Sequence, residues 1–496
     1  MKAWGDQQNG TYKNPILNAD YSDPDVIRVG NDFYMVCSEF HFMGIPVLHS
    51  KDLVNWQIIS RVYDRFEAND IYNNMEAYGK GSWAPTIRCF NGTFYVYFCT
   101  PCDGLYVCTA KNAEGPWTQP YEIKAVKNWE DPCPFWDDDG QAYLGHSVLL
   151  GGPIIIHKMS PDGKSLLDEG TVVYWGPTAE GTKIYKRNGY YYIIIPEGGV
   201  GTGWQTALRS KNIYGPYERK VVLEEGTSNM NGPHQGGLVE LESGESWFVH
   251  FQLTSANKKN PKPLGRVCHL QPVKWIEDWP MMGVCNEGIW EPVWQYKKPN
   301  VGAEYPVCFP ATSDSFEEKT LSYQWAFNHN PVESKWSLTE RPGYLRLISS
   351  NAKDVMSARN TVTQKVMGDK GTASTELCLE NMSPGQIAGL VHINKKGDWI
   401  GIEKADESSY VVRAYINETK YIGPQITQQK IWFKTEIDAI GDTYMLYSLD
   451  NIGFTQLGGP LKLQYGYWKG SKIGLFTFGS EEGCVDFSWF NYDFSV

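Results

Sequence analysis

Hydrophobic positions in this chain fall in short β-type runs separated by turn residues, and one such unit repeats. Within residues 20–40, a run from Val26 to Val29 turns at Gly30-Asn31-Asp32 and returns through Phe33 to Cys37. The turn residues and alternating flanks predict a hairpin. Pro24 cannot donate a ladder hydrogen bond, so it marks a strand start and puts Asp23 at the strand's mouth. Four more units follow. Ala84-Pro85 opens a run that turns at Asn91-Gly92 and returns through Phe94 to Tyr97. Asp131-Pro132 opens one that turns at Asp139-Gly140 and returns through Ala142 to Leu144. Glu180-Gly181 leads to a turn at Asn188-Gly189 and a return from Tyr190 to Ile195. Gly236-Gly237 leads to Ser243-Gly244 and Trp247 to Val249. The openings at 23, 84, 131, 180 and 236 are spaced 61, 47, 49 and 56 residues apart. That period, with about four strands per repeat, predicts an all-β chain that begins with a five-bladed propeller; a meander sandwich is the plainer alternative.

The repeat occupies residues 16–297, after a lead-in strand or tail over 1–15, so the propeller domain spans 1–297. Between blade cores stand variants of one phrase: Ser50 to Trp56, Ala110 to Trp117 and Arg209 to Tyr217. Each pairs a Lys-Asp or Lys-Asn turn with an aromatic a few residues on, as expected for structural corners of outer strands. The pattern stops over 298–312, where Lys298-Pro299-Asn300-Val301-Gly302 and Pro306 to Pro310 read as a linker. Residues 313–496 are again β-rich but without the repeat. Short strands such as Ile387 to Ile393 and Ile473 to Phe478 predict an accessory β-sandwich of jelly-roll type.

Composition narrows the function classes. With 496 residues, two domains are expected. The net charge of −12 argues against nucleic acid, whose affinity comes from neutralising phosphates, and is compatible with a neutral polymer. The 19 Trp, 30 Tyr and 20 Phe suit either sugar stacking or a β-rich core. Eleven cysteines show no framework spacing; Cys99 and Cys102 form a lone C-x-x-C without a second pair at zinc spacing. No apolar stretch is long enough to span a bilayer, so no membrane partner is expected. Met1 to Asp6 lacks a signal-type apolar core, which leaves a cytoplasmic protein or one whose leader has been removed.

Three blade openings carry acids: Asp23, Asp131 and Glu180. Innermost strands start around one axial funnel, so these acids should converge. Buried acids without cations are costly, and convergence therefore points to chemistry. Glycoside hydrolysis needs a carboxylic acid to protonate the leaving oxygen and a carboxylate across the sugar. If that carboxylate activates water directly, the pair stands roughly 6.5–9.5 Å apart and configuration inverts. Acids on different blades suit so wide a gap, and a third acid raises the donor's pKa by like-charge proximity.

These motifs together resemble glycoside hydrolase family 43. The matching text is Asn14-Pro15-Ile16-Leu17, Ser22-Asp23-Pro24-Asp25, Pro46 to Trp56, Ser82-Trp83-Ala84-Pro85, Asp131-Pro132, Glu180-Gly181-Thr182 and Leu264-Gly265-Arg266. Trp325 to Pro331 and Arg359 to Gln364 resemble the β-sandwich attached to the family's xylosidases. The resemblance implies that Asp23 is the general base, Glu180 the general acid, and Asp131 the third acid that tunes the donor and orients the sugar. It implies that Arg266 binds the sugar and the acids, and that Phe40 and Trp83 wall the terminal-sugar pocket. Asp25 shares a strand face with Asp23 but lies one step deeper. Two departures stand out: Thr182 occupies a place where many relatives have proline, and Glu130 adds an acid immediately before Asp131.

In some relatives a histidine at the place of His234 helps hold a calcium ion, with water as its other ligands. The alternative is a hydrogen-bonded axial histidine, since calcium prefers oxygen. The resemblance also makes Asp486 a candidate calcium ligand in the sandwich. Trp468 is either an aromatic sent into the active-site mouth or an interface residue. The expected function is an inverting exo-glycosidase that releases terminal α-L-arabinofuranose, β-D-xylose or both from plant cell-wall pentosans. Its substrate partner is an oligo- or polysaccharide, and the chemistry needs no cofactor. The rival readings are an endo-acting arabinanase and a non-catalytic carbohydrate-binding propeller.

Overall fold

The computed structural model describes residues 4–41, 44–255 and 261–495. Five four-stranded antiparallel sheets are present among them, each made of strands consecutive in the chain. Blade 1 begins at Asp25–Val29, blade 2 at Trp83–Phe90, blade 3 at Trp129–Trp136, blade 4 at Lys183–Arg187 and blade 5 at Gly236–Glu240. First strands of successive blades touch in turn from blade 1 to blade 4, and that of blade 5 returns to blade 1. The sheets thus form a five-bladed propeller with the blade openings around one axis. Second strands are buried on both faces, as in Tyr190–Glu197, whose Ile193, Ile194 and Ile195 are β-branched and almost inaccessible.

The ring is held shut by the start of the chain. Thr11–Lys13 pairs with Gln295–Lys297. The Tyr12 hydroxyl and the Asn14 amide both donate to the Leu270 carbonyl in blade 5. The three corner phrases lie between the third and fourth strands of blades 1, 2 and 4. In the first, the Asp52 carboxylate accepts the amides of Val54 and Asn55, and the buried Trp56 indole donates to the Leu53 carbonyl. These are structural roles.

Beyond residue 313 two seven-stranded sheets pack face to face. One is centred on Lys472–Phe478 and Ile387–Ile393, the other on Cys484–Phe494 and Lys370–Cys378. Strand Lys370–Cys378 buries Ala373, Thr375 and Leu377 at every second position, so one face meets the opposite sheet. Asp486 accepts from Arg346 at 2.7 and 2.9 Å and from Arg341 at 2.9 Å. Its charge is thus answered by two guanidinium groups.

Residues 298–312 carry no strand or helix, yet they are docked. Lys298 pairs with Asp6 and Asp52 at 2.6 and 2.8 Å, and the Phe309 ring packs against Trp4 and Phe494. One apolar core runs from the first blade through this segment into the sandwich. Buried charges cross the same boundary. Glu39 of the propeller faces Lys472 at 2.9 Å and Lys365 at 3.4 Å, and Asp20 faces Lys469 at 3.0 Å. Burial first of all pushes the Lys472 ammonium down to about 8, with Glu39 opposing and Lys365 adding to the fall. No helix among the described residues is long and apolar enough to cross a membrane.

Candidate active site

The blade openings share a backbone device. Asp23, Ala84 and Asp131 each precede a proline and each adopt a left-handed conformation, with φ of 52°, 40° and 56°. Sheet pairing slips at the same place in blades 2 and 3, between Trp83 and Thr86 and between Glu130 and Cys133. Non-glycine residues resist this conformation at roughly 1–3 kcal/mol each, a cost found mainly where geometry serves function. Blade 4 has the same bend one residue after its acid, at Gly181 with φ 66°, where a Cβ would stand 2.5 Å from the Pro196 ring. The bends turn the acids out of the sheets and into one cavity of about 280 Å³, at the low end of small-molecule sites. Asp23, Asp131, Glu180, Phe40, Trp83, Arg266, His234 and Trp468 all line it.

Asp23 is buried and accepts hydrogen bonds from Ser38 at 2.5 Å, Ser22 at 2.9 Å and Arg266 at 2.7 Å. Burial alone would raise its carboxyl. The Arg266 guanidinium, the two hydroxyls and the more distant Lys469 outweigh that and hold it below the ordinary carboxylate value. Arg266 is fixed in turn. Its amide donates to Asp20, and its guanidinium lies 4.7 Å from the Phe251 ring centre and 5.9 Å from that of Trp468. Gly265 makes this approach possible, because a Cβ there would come within 2.3 Å of the Asp20 carboxylate. Asp25 lies deeper, bound to Arg88 and to the Ile87 amide at 2.7 and 2.9 Å, and serves as an ion pair between blades.

Asp131 accepts from the Ser147 hydroxyl and the Gly181 amide, both at 2.7 Å. It therefore holds the backbone that carries Glu180. Burial, then the Glu180 charge, raises its carboxyl, with Lys183 pulling the other way. The Glu180 carboxylate stands 3.0 Å from His234 Nε2. His234 thus brings a single imidazole whose Nε2 already faces an acid. Among the described residues no three His, Cys, Asp or Glu side chains converge as metal ligands. The donor set does not fit a calcium site built by protein groups.

Phe40 and Trp83 meet edge to face, with centres 5.2 Å apart, and form one wall. The opposite rim comes from the sandwich. Gly466 and Lys469 exchange both backbone hydrogen bonds at 3.0 Å, leaving Tyr467 and Trp468 as the centre of a two-residue turn. Both have positive φ, 51° and 65°, in a turn type that favours Asn-Gly. Two bulky aromatics there are strained, and the strain directs the Trp468 ring, 46% exposed, to the cavity. Leu149, Leu150, Thr178, Val200 and Gln235 also contribute to the lining. They lie on loops and carry no motif. Glu130 also lines it, and its position before Asp131 was the available signal.

The model of glycosyl hydrolases family 43 matches residues 12–280, and that of the beta xylosidase C-terminal Concanavalin A-like domain matches 313–493. A Xylanibacter ruminicola protein provisionally named a beta-xylosidase is 48% identical over 479 residues, covering 96% of this chain and 88% of its own. The non-reducing end alpha-L-arabinofuranosidase BoGH43B of Bacteroides ovatus is 37% identical over 357 residues, 68% of this chain and 65% of that one. Among solved structures, a mutant of the GH43 protein BlXynB from Bacillus licheniformis superposes with a TM-score of 0.86 at 27% identity, covering 97% of this chain and 99% of its own.

Proposed function

The chain belongs to glycoside hydrolase family 43 and is a glycoside hydrolase, and from that premise we propose that it is an inverting exo-enzyme that releases terminal β-D-xylose, α-L-arabinofuranose or both from pentosans. One observation carries the reading. An acid held ionised by Arg266 and a second acid beside His234, carried on different blades, line one small cavity. In this reading Asp23 activates the water and Glu180 protonates the leaving oxygen. Asp131 holds the Gly181 backbone and keeps Glu180 in place. The similarity to proteins named for both pentosidase activities supports the two candidate sugars.

The test is direct. Initial rates on aryl β-D-xylopyranoside and α-L-arabinofuranoside give the sugar preference, and NMR of the first-formed product gives its anomer. Inversion and monosaccharide release are expected. Retention, or oligomers from the earliest time point, would overturn the reading in favour of a covalent route or of endo attack.

Two variants probe the cavity further. Arg266→Met is expected to move the acidic limb of the kcat/KM profile to higher pH by roughly 1–3 units. The sign follows from the cation's effect: without it the Asp23 carboxyl rises, and the base loses its ionised form at a higher pH. Trp468→Ala is expected to raise KM about 3- to 10-fold with a smaller change in kcat, because an aromatic contact made equally in ground and transition states is removed.

A further inference from the structure

The cavity contains a fourth acid for which base, donor and third acid leave no task. Glu130 stands in blade 3 where Trp83 stands in blade 2 and Glu180 in blade 4, one residue before the left-handed bend. The register agrees: Glu130 pairs with Ser147 as Trp83 pairs with Cys99, while the Glu180 amide reaches the Pro196 carbonyl. The propeller therefore delivers three consecutive side chains of this type to one chamber, and all three line it.

Glu130 is 8% exposed, and its Oε1 is buried without a hydrogen-bond partner. The Gly151 amide approaches its carboxyl. Among the described residues no Lys, Arg or His forms an ion pair with it, unlike Asp23, Asp25 and Glu180. A buried polar group left unpaired costs about 1–3 kcal/mol. The residue that carries this atom lines the substrate chamber, where a sugar hydroxyl can meet its carboxyl group.

Building on the pentosidase reading above, we propose that Glu130 is a substrate-contacting specificity residue whose carboxyl group donates a hydrogen bond to one hydroxyl of the terminal pentose. The electrostatics favour the donor form. Burial foremost, then the neighbouring Asp131, Glu180 and Asp23, push its carboxyl up to about 9, against a small pull from Gly151. A group so high is a poor proton donor to a leaving oxygen near neutral pH, which leaves that step to Glu180. It is well suited to pairing with a hydroxyl, and a site built around such a pair rejects analogues that lack it.

The experiment compares wild type, Glu130→Gln and Glu130→Ala on the better aryl pentoside and on its monodeoxy analogues. Glu130→Ala is expected to lose about tenfold in kcat/KM on the parent sugar. On one deoxy analogue the wild type should fall to the level of the variant, so that the two no longer differ. Glu130→Gln, which keeps a donor of the same reach, should stay within about threefold of wild type. Glu130→Met, similar in volume and lacking a donor, replaces Glu130→Ala if the latter does not fold. An equal loss on the parent and on every deoxy analogue would overturn the assignment, as would a Gln variant as impaired as Ala. A wild type that cleaves neither aryl pentoside would instead sink the pentosidase reading itself.

Discussion

Asp23→Asn is expected to lower kcat/KM by roughly 10²–10⁴-fold on every pentoside, whatever its leaving group, whereas Glu180→Ala loses as much only where the leaving group needs a proton. The asymmetry follows from the two tasks. Water must be deprotonated for any glycoside, so good leaving groups do not spare the base. The donor's task disappears when the departing oxygen is already stable as an anion. Asparagine preserves the bulk of Asp23 and can still bond to Ser22 and Ser38, so the change is mainly one of charge. Rates on a series of aryl xylosides of graded leaving-group pKa check both halves. A Glu180→Ala variant equally impaired across the series would remove Glu180 from the donor's role. Thermal melts should accompany the rates, since Arg266 loses its buried partner in Asp23→Asn.

Glu39→Gln is expected to destabilise the protein by about 3–5 kcal/mol, read as a lower urea midpoint. Glu39 is buried beside Lys472 and Lys365, and removing its charge leaves two cations without their counter-ion in a low-dielectric interior. Its own carboxyl shows the balance: burial would raise it, yet Lys472, Lys365, His41 and Lys469 hold it well below the ordinary range. A depressed acid stabilises the folded state fully above its unfolded value of about 4.3, and that support goes only as pH falls through the lower folded value. The wild type should therefore keep this contribution through mildly acidic pH, and the variant should lack it at every pH. A midpoint unchanged at pH 7 would show that the cluster contributes little. Activity should fall as well, because the Glu39 backbone is bonded in both directions to Ser82, which holds Phe40 and Trp83 in register.

Much of this architecture was legible from local signals. Turn pairs such as Asn91-Gly92 and Asn188-Gly189 sit at positive φ between the strands they were expected to join. The Asp-Pro and Ala-Pro openings marked where inner strands begin, and the three acids do face one cavity. What escaped depends on contacts distant in sequence. Glu130 showed itself as an extra acid, but its burial and unpaired oxygen arise from the slip in pairing before Cys133 and from the Gly151 loop. The partner of His234 could not be read either, because Glu180 reaches it from another blade. Trp468 is equally compatible in sequence with a cavity or an interface position, and it is the strained turn that brings its ring to the cavity. The lysines that meet Glu39 and Asp20 looked like ordinary strand and turn residues. Nothing local distinguishes a cation that will be buried against another domain from one bound for solvent.

Lys469 and Trp468 are neighbours in the chain, and both come from the C-terminal half. One tempers the charge of Asp23 and the other closes the chamber above it. Chimeras assembled by exchanging that half between relatives would therefore not be neutral fusions of an engine with an appendage. Each graft would redraw the chamber's outline and shift the acidity of Asp23, so matched halves from one parent are the natural unit for recombination.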